Sequence, residues 1–208
     1  MSQDHGVVFI IDDDPSVRES LNSLFRSVGH VVHTFESALD FLDRERPNDS
    51  ACIVLDVRLP GPSGLEFQRQ LAGLGIHIPV VFITGHGDVP MSVSAMKAGA
   101  IEFLTKPFRD QDLLDAVHRG IELDRECKKD QAVLNDLQDR YDALTLREQE
   151  IMALVVLGQL NKQIAFKLDL SEVTIKAHRA QVMRKMKART LPDLVRFADR
   201  LNSAILKQ

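Results

Sequence analysis

Aspartate occurs three times in succession, at Asp12, Asp13 and Asp14, directly after the apolar run Val7–Ile11, and again at Asp56 after the run Cys52–Leu55. Two further apolar runs end in the same way: Val80–Ile83 is followed by Thr84, and Ile101–Leu104 leads to Lys106. Carboxylates gathered in one pocket repel one another, and each has a raised pKa unless a cation neutralises the set. A hard divalent ion with oxygen ligands suits such a group, and Mg²⁺ is the expected one. A lysine and a threonine beside it add a second cation and a hydroxyl donor. Singly, each residue has a plainer explanation. Asp14-Pro15-Ser16 has the form of an N-cap with proline at the first helical position, Lys106-Pro107 that of a turn, and Thr84 that of a strand end. Their recurrence after four different apolar runs is what points to a site.

The elements that would bring them together alternate along residues 1–123. Val7–Ile11, Val31–Thr34, Cys52–Leu55, Val80–Ile83 and Ile101–Leu104 read as strands; Ser16–Ser27, Ser37–Glu45, Gly64–Leu74, Pro90–Ala98 and Asp110–Leu123 carry helical spacing between them. Five strand–helix units with strands apolar on both faces predict an α/β doubly wound five-stranded parallel sheet. Polar side chains then collect beyond the carboxyl ends of the strands, and strands one, three, four and five supply them here.

Over about residues 5–123 the sequence resembles the receiver domain of two-component response regulators. The matching segments are Ile11-Asp12-Asp13-Asp14, Leu55-Asp56-Val57-Arg58-Leu59-Pro60, Ser63-Gly64, Thr84-Gly85-His86-Gly87-Asp88 and Lys106-Pro107-Phe108, and Thr84–Ala100 is similar to the FixJ-type subgroup. The resemblance implies a CheY/flavodoxin-like fold in which Asp56 accepts a phosphoryl group from a sensor histidine kinase. It also implies Mg²⁺ held by Asp13, Asp56 and the backbone carbonyl of Arg58, with Asp12 acting through water. Lys106 would pair with a phosphoryl oxygen, and Thr84 would donate its hydroxyl as a switch that Phe103 follows, although Phe103 reads equally well as a buried strand residue. The resemblance also implies that Arg58 and His86 occupy positions that influence acyl-phosphate lifetime. Dimerisation on phosphorylation, through the face of helix four, strand five and helix five, is implied as well.

From Asp110 to Leu144 there is no proline and a single glycine, Gly120, so one long helix is expected, with residues 124–143 as a charged helical linker. Leu134, Leu137, Tyr141 and Leu144 form a narrow apolar seam along it. Beyond it, Thr145 with Glu148 makes a capping box for a helix to about Leu157, and Asn161 is the expected cap of a short helix Lys162–Leu168. Ser171 caps a third helix over about Glu172–Lys187, and a last helix starts near Leu191-Pro192. In the third, Ile175, His178, Val182 and Met186 share an inward face, where His178 reads as a hydrogen-bonded core residue. The outward face carries Val173, Lys176, Ala177, Ala180 and Arg184. A short helix, a tight turn and a basic outward helix are the parts of a major-groove reader.

Residues 144–208 are similar to the LuxR/NarL-type helix-turn-helix output domain, on Leu144-Thr145-Leu146-Arg147-Glu148, Asn161-Lys162-Gln163-Ile164-Ala165 and the segment Ser171–His178. The resemblance implies binding to double-stranded DNA at a roughly two-fold-symmetric site, transcription regulation and contact with RNA polymerase. Lys176 and Arg184 would reach base edges; Lys162, Arg179 and Lys185 would meet phosphates. Ala177 and Ala180 leave thymine-methyl contact or shape readout.

Charge distribution agrees with two separate tasks. Residues 1–122 carry 10 Lys+Arg against 18 Asp+Glu, residues 123–143 carry 4 against 6, and residues 144–208 carry 12 against 6, within a net charge of −4. No apolar run approaches the ~18 residues of a membrane span, and the polar start of the chain has no signal-peptide pattern, so a cytoplasmic protein without a membrane partner is expected. Cys52 and Cys127 support neither a disulfide framework nor a zinc site. An enzyme is not expected beyond self-phosphorylation and autodephosphorylation of Asp56. Metal-dependent phosphohydrolases with an aspartyl nucleophile usually have a second carboxylate two residues on, where this chain has Arg58. A phosphorylation-independent architectural protein would not need Asp12, Asp13, Asp56, Thr84 and Lys106 together.

Overall fold

The computed structural model describes residues 5–45, 47–85 and 87–205; His86 lies outside them. The chain divides between Lys128 and Lys129 into two compact units.

In the first unit five strands, β1 (Val7–Ile11), β2 (Val31–Phe35), β3 (Ala51–Asp56), β4 (Val80–Thr84) and β5 (Glu102–Thr105), form one sheet in the order β2-β1-β3-β4-β5. All four pairings are parallel. Alternate side chains enter opposite layers. Val7, Phe9 and Ile11 pack with Phe41, Phe67 and Leu71 of α2 (Ala38–Leu42) and α3 (Gly64–Gly73), on the side that also holds Ala95 of α4 (Val89–Lys97). Val8 and Ile10 pack with Leu21 and Phe25 of α1 (Pro15–Ser27) and with Leu113, Val117 and Ile121 of α5 (Asp110–Asp142). Burial on both faces is why β1, β3 and β4 read as continuous apolar runs instead of alternating ones, while the edge strands β2 and β5 are only partly buried. α2 is shorter than its expected Ser37–Glu45 span. Ala38 and Phe41 are buried in the core with Leu42 packed against it, and no apolar residue follows Leu42 within the expected span to carry the helix further.

α5 is one helix of 33 residues, as the absence of proline predicts. At Gly120 it passes so close to β3 that an added Cβ would lie 2.6 Å from the Cys52 sulfur. One turn on, buried Asp124 accepts the backbone N–H of Ala51 at 2.7 Å and the Lys128 ammonium at 2.8 Å. Burial raises the pKa of the Cys52 thiol, as befits a packed, unreactive sulfur.

The second unit takes the end of α5 with α6 (Leu146–Val156), α7 (Asn161–Leu168), α8 (Glu172–Lys185) and α9 (Leu191–Ile205). Its core joins Leu137, Ile151, Val155, Ile164, Ile175, Val182, Met186, Leu194 and Leu201, with Leu134 and Tyr141 packed against it. The apolar seam of residues 134–144 is therefore part of this core and not a free-standing connector. Thr145 and Glu148 form the expected capping box. The cap of α7 is displaced by one residue. Leu160 holds the cap position, its N–H donating to Gln163 Oε1 at 2.8 Å, while the Asn161 side chain accepts from Arg179. α7 ends at Asp169, in the left-handed region at φ 52°, and Ser171 caps α8.

Replacing Asp124 by Ala strands the Ala51 N–H and should cost about 2 kcal/mol of stability, with faster hydrogen exchange at Ala51. Asp124→Asn, which keeps an accepting oxygen, should recover most of the loss in the same urea-unfolding and exchange measurements.

Candidate functional site

The order of the sheet reverses between β1 and β3, and the carboxylates stand at that reversal. Asp12 continues β1, its N–H donating to the Phe35 carbonyl at 3.3 Å, and its side chain is completely buried. Its Oδ1 accepts the Asp14 N–H at 2.9 Å, and its backbone carbonyl accepts from Arg18 at 2.7 Å. Asp14 is used as expected for a cap, accepting from Ser16 and Val17 at the start of α1. Asp56 ends β3 with its Oδ1 held by the Arg58 N–H at 2.8 Å. The following loop folds back tightly, so that a Cβ on Gly64 would fall 2.4 Å from the Asp56 carbonyl oxygen. The Arg58 side chain itself is exposed.

Lys106 closes the group. Its Nζ lies 2.8 Å from Asp12 Oδ2 and 2.9 Å from Asp56 Oδ2, and its backbone N–H donates to the Thr84 carbonyl at 2.7 Å. Thr84 is buried at the end of β4. Phe103, half-buried on β5, stacks at a tilt on Phe82, and Gly87 brings the two parts together. A Cβ at Gly87 would lie 2.8 Å from the Phe103 ring and 3.1 Å from the Thr84 methyl, so the loop backbone passes close to both side chains.

Burial raises the Asp12 carboxyl above its ordinary range, and the hydrogen bond from Lys106 only partly offsets this. Burial likewise pulls Lys106 downward, but its hydrogen bonds to Asp12 and Asp56, with the charges of both, carry it above the usual lysine value. The ammonium is thus firmly protonated between two carboxylates. Oxygens of Asp12, Asp13 and Asp56 all come within 4.8 Å of one another, with Asp13 open to solvent. A pocket with this much negative charge and hard oxygen donors fits a divalent cation.

In the second unit, Lys176, Ala177, Ala180 and Arg184 share the exposed face of α8, together with Val173 at 77% exposure. Lys162 is exposed on α7, and Arg179 reaches back to Asn161 Oδ1 at 2.6 Å, fixing α8 against α7. Lys185 is half-exposed, with its ammonium 2.6 Å from Glu148 and 3.1 Å from the Ala143 carbonyl, so it also ties α8 to the start of α6. The Lys185 and Thr145 hydrogen bonds hold the Glu148 carboxyl below its ordinary range. His178 is half-buried with no hydrogen-bond partner among the described residues, so it is not the hydrogen-bonded core histidine expected. Arg147 donates to the Leu168 carbonyl at 2.8 Å. The Arg147 and Glu148 contacts span 21 and 37 residues, and no local spacing signals them.

Replacement of Lys106 by Met leaves buried Asp12 facing Asp56 without a cation. At neutral pH this should cost about 3 kcal/mol. A carboxyl whose folded pKa is raised is stabilising when protonated, and that stabilisation is lost as pH rises through the folded value. The deficit of the variant should therefore shrink as pH falls from 7 toward 4, which urea unfolding at several pH values would show. A deficit that grows on acidification would contradict this electrostatic account.

Comparison with known proteins agrees with this geometry. Residues 8–118 match the response regulator receiver domain family, and residues 142–198 match the luxR family of bacterial regulatory proteins. Nodulation protein W of Bradyrhizobium diazoefficiens is 52% identical over 195 residues, 94% of this chain and 86% of that protein. The transcriptional regulatory protein FixJ of Rhizobium meliloti is 44% identical over 191 residues, 92% of this chain and 94% of that one. The solved structure of the response regulator StyR has a TM-score of 0.85 at 48% identity, covering 93% of this chain and 98% of StyR. Among the described residues no helix is long and apolar enough to cross a membrane. With both families matched in sequence and fold, the chain belongs to the two-component response regulators, as a transcriptional regulator with a receiver domain and a LuxR-type DNA-binding domain.

Proposed function

We propose that Asp56 is the phosphoacceptor of a cytoplasmic switch that governs dimerisation and DNA binding. The observation that carries this reading is the single ammonium of Lys106 bridging Asp12 and Asp56 at the reversal of the sheet. In the transfer, an Asp56 carboxylate oxygen attacks the phosphorus of a phosphohistidine on the sensor kinase. The Asp56–phosphorus bond forms as the phosphorus–nitrogen bond breaks, and the histidine leaves with the electron pair. Positioning and charge neutralisation dominate such a step. Asp12, Asp13, Asp56 and the Arg58 carbonyl would hold Mg²⁺, which when bound supplies charge neutralisation for the phosphoryl oxygens.

Lys106 exchanges its contact with Asp56 for one with a phosphoryl oxygen, and the Thr84 hydroxyl donates to another. The packing of Thr84 and Phe103 about Gly87 gives that movement a route to the surface of β5. Phosphorylation then shifts a pre-existing equilibrium toward a dimerising receiver. Residues 1–123 serve as receiver, 124–143 as helical connection and 144–208 as output domain. Two output domains would read a roughly two-fold-symmetric site, with Lys176 and Arg184 at base edges, Ala177 and Ala180 against the groove, and Lys162, Arg179 and Lys185 at phosphates. RNA polymerase is the partner through which the bound dimer would act.

With Mg²⁺ and a small phosphodonor, wild type should form dimers in size-exclusion chromatography with light scattering, and Asp56→Asn should stay unresponsive. Dimerisation of that variant on phosphodonor addition would remove Asp56 from the acceptor role. For DNA, Lys176→Ala should weaken specific binding roughly tenfold, whereas Lys162→Ala should weaken all sequences alike and reduce the salt slope by about one. Filter binding over a salt series distinguishes the two patterns.

A further inference from the structure

The outward strip of α8 has a composition that narrows what it can recognise. At 3.6 residues per turn, Val173, Ala177, Ala180 and Arg184 fall within about 60° of arc, with Lys176 on their flank and Glu172 beyond it. Val173, the second residue of the helix, is 77% exposed, and the other members of the strip are exposed with it. The polar neighbours of Val173 are occupied locally. Ser171 Oγ accepts the Thr174 N–H at 3.1 Å and lies 2.8 Å from Thr174 Oγ1. Gln181, the amide beside the strip, is half-buried, and its Oε1 accepts from Arg184. The strip itself therefore offers cations and methyl groups, with no amide and no carboxylate.

In the major groove a cation pairs with acceptors, best with O6 and N7 of guanine. Bidentate recognition of adenine takes Asn or Gln, and the cytosine amino group takes Glu or Asp. An apolar side chain finds its partner in the 5-methyl group of thymine. The N-terminal residues of a recognition helix are the ones that meet base edges, and the Val173 methyls reach farther from the helix axis than those of Ala177 or Ala180. Branching at Cβ leaves valine one strongly preferred rotamer in a helix, so little side-chain freedom is lost on contact. We propose, resting on the reading of α8 as the major-groove helix, that Val173 is a specificity-determining residue which reads the 5-methyl group of one thymine in each half-site. Ala177 and Ala180, with no atoms beyond Cβ, let the helix approach the bases closely enough for that contact.

Full-length protein with Mg²⁺ and a small phosphodonor would first select its site from a pool of random duplex DNA. Each thymine of that site is then replaced in turn by deoxyuridine, which keeps the base pairing and removes only the methyl. Affinities are compared by fluorescence anisotropy for wild type and Val173→Ala, a change that suits an exposed helical position and retains the fold. At one thymine per half-site, deoxyuridine should weaken wild-type binding about fourfold, whereas Val173→Ala should bind the two forms almost equally. At the remaining thymines the replacement should affect both proteins alike. Undiminished wild-type binding at every deoxyuridine position, or the same deoxyuridine effect in Val173→Ala as in wild type, would overturn the role of Val173 and leave α8 as a base reader. If the pool yields no enriched sequence, α8 is not a base reader, and the role of Val173 fails with it.

Discussion

Two carboxylates at the ends of adjacent parallel strands can both stay ionised in one largely buried pocket only if a cation lies between them, and in this chain that cation is Lys106. Its ammonium meets both Asp12 and Asp56 within 2.9 Å. The sheet makes the arrangement unavoidable. β1 and β3 are neighbours in register, so the residues after Ile11 and Leu55 emerge together. β4 and β5 then deliver Thr84 and Lys106 to the same edge. Burial raises the cost of ionising Asp12, and the carboxylates in turn keep Lys106 protonated. A site balanced in this way responds strongly to any added charge. A phosphoryl group on Asp56 would draw Lys106 and Thr84 toward it without requiring the sheet to move.

The second unit solves a different electrostatic problem. A basic surface must be presented without letting its own charges unfold the small helical core beneath it. Lys185 and Arg179 also contact Glu148 and Asn161, and these bonds fix α8 against α6 and α7. Lys176 and Arg184 remain outward on the exposed face. The division between bracing and fully outward cations is a matter of which side of α8 each residue occupies, and the apolar line of Ile175, Val182 and Met186 sets that orientation.

Much of this was legible in the residues. Strands buried on both faces leave unbroken apolar runs, and the polar residue ending each run marks the functional edge, so the sheet and the grouping of Asp12, Asp13, Asp56, Thr84 and Lys106 followed from sequence. The capping box at Thr145 and the N-cap at Ser171 placed two helix starts correctly. The details not legible there depend on contacts between distant residues. Asn161 has the chemistry of a cap but is drawn to Arg179, leaving the cap position to Leu160. The pairing of Lys185 with Glu148 joins residues 37 apart in the chain, beyond the reach of any local spacing.

The central claim is that Asp56 itself carries the phosphoryl group, and reductive trapping addresses it most directly. After incubation with Mg²⁺ and a small phosphodonor, borohydride reduces an acyl phosphate of aspartate to homoserine, which peptide mass spectrometry can place in the chain. Homoserine at position 56 alone, and none when Mg²⁺ is chelated, is the result this account predicts. Homoserine at position 12 or 13, or none anywhere in folded protein supplied with Mg²⁺ and donor, would contradict it.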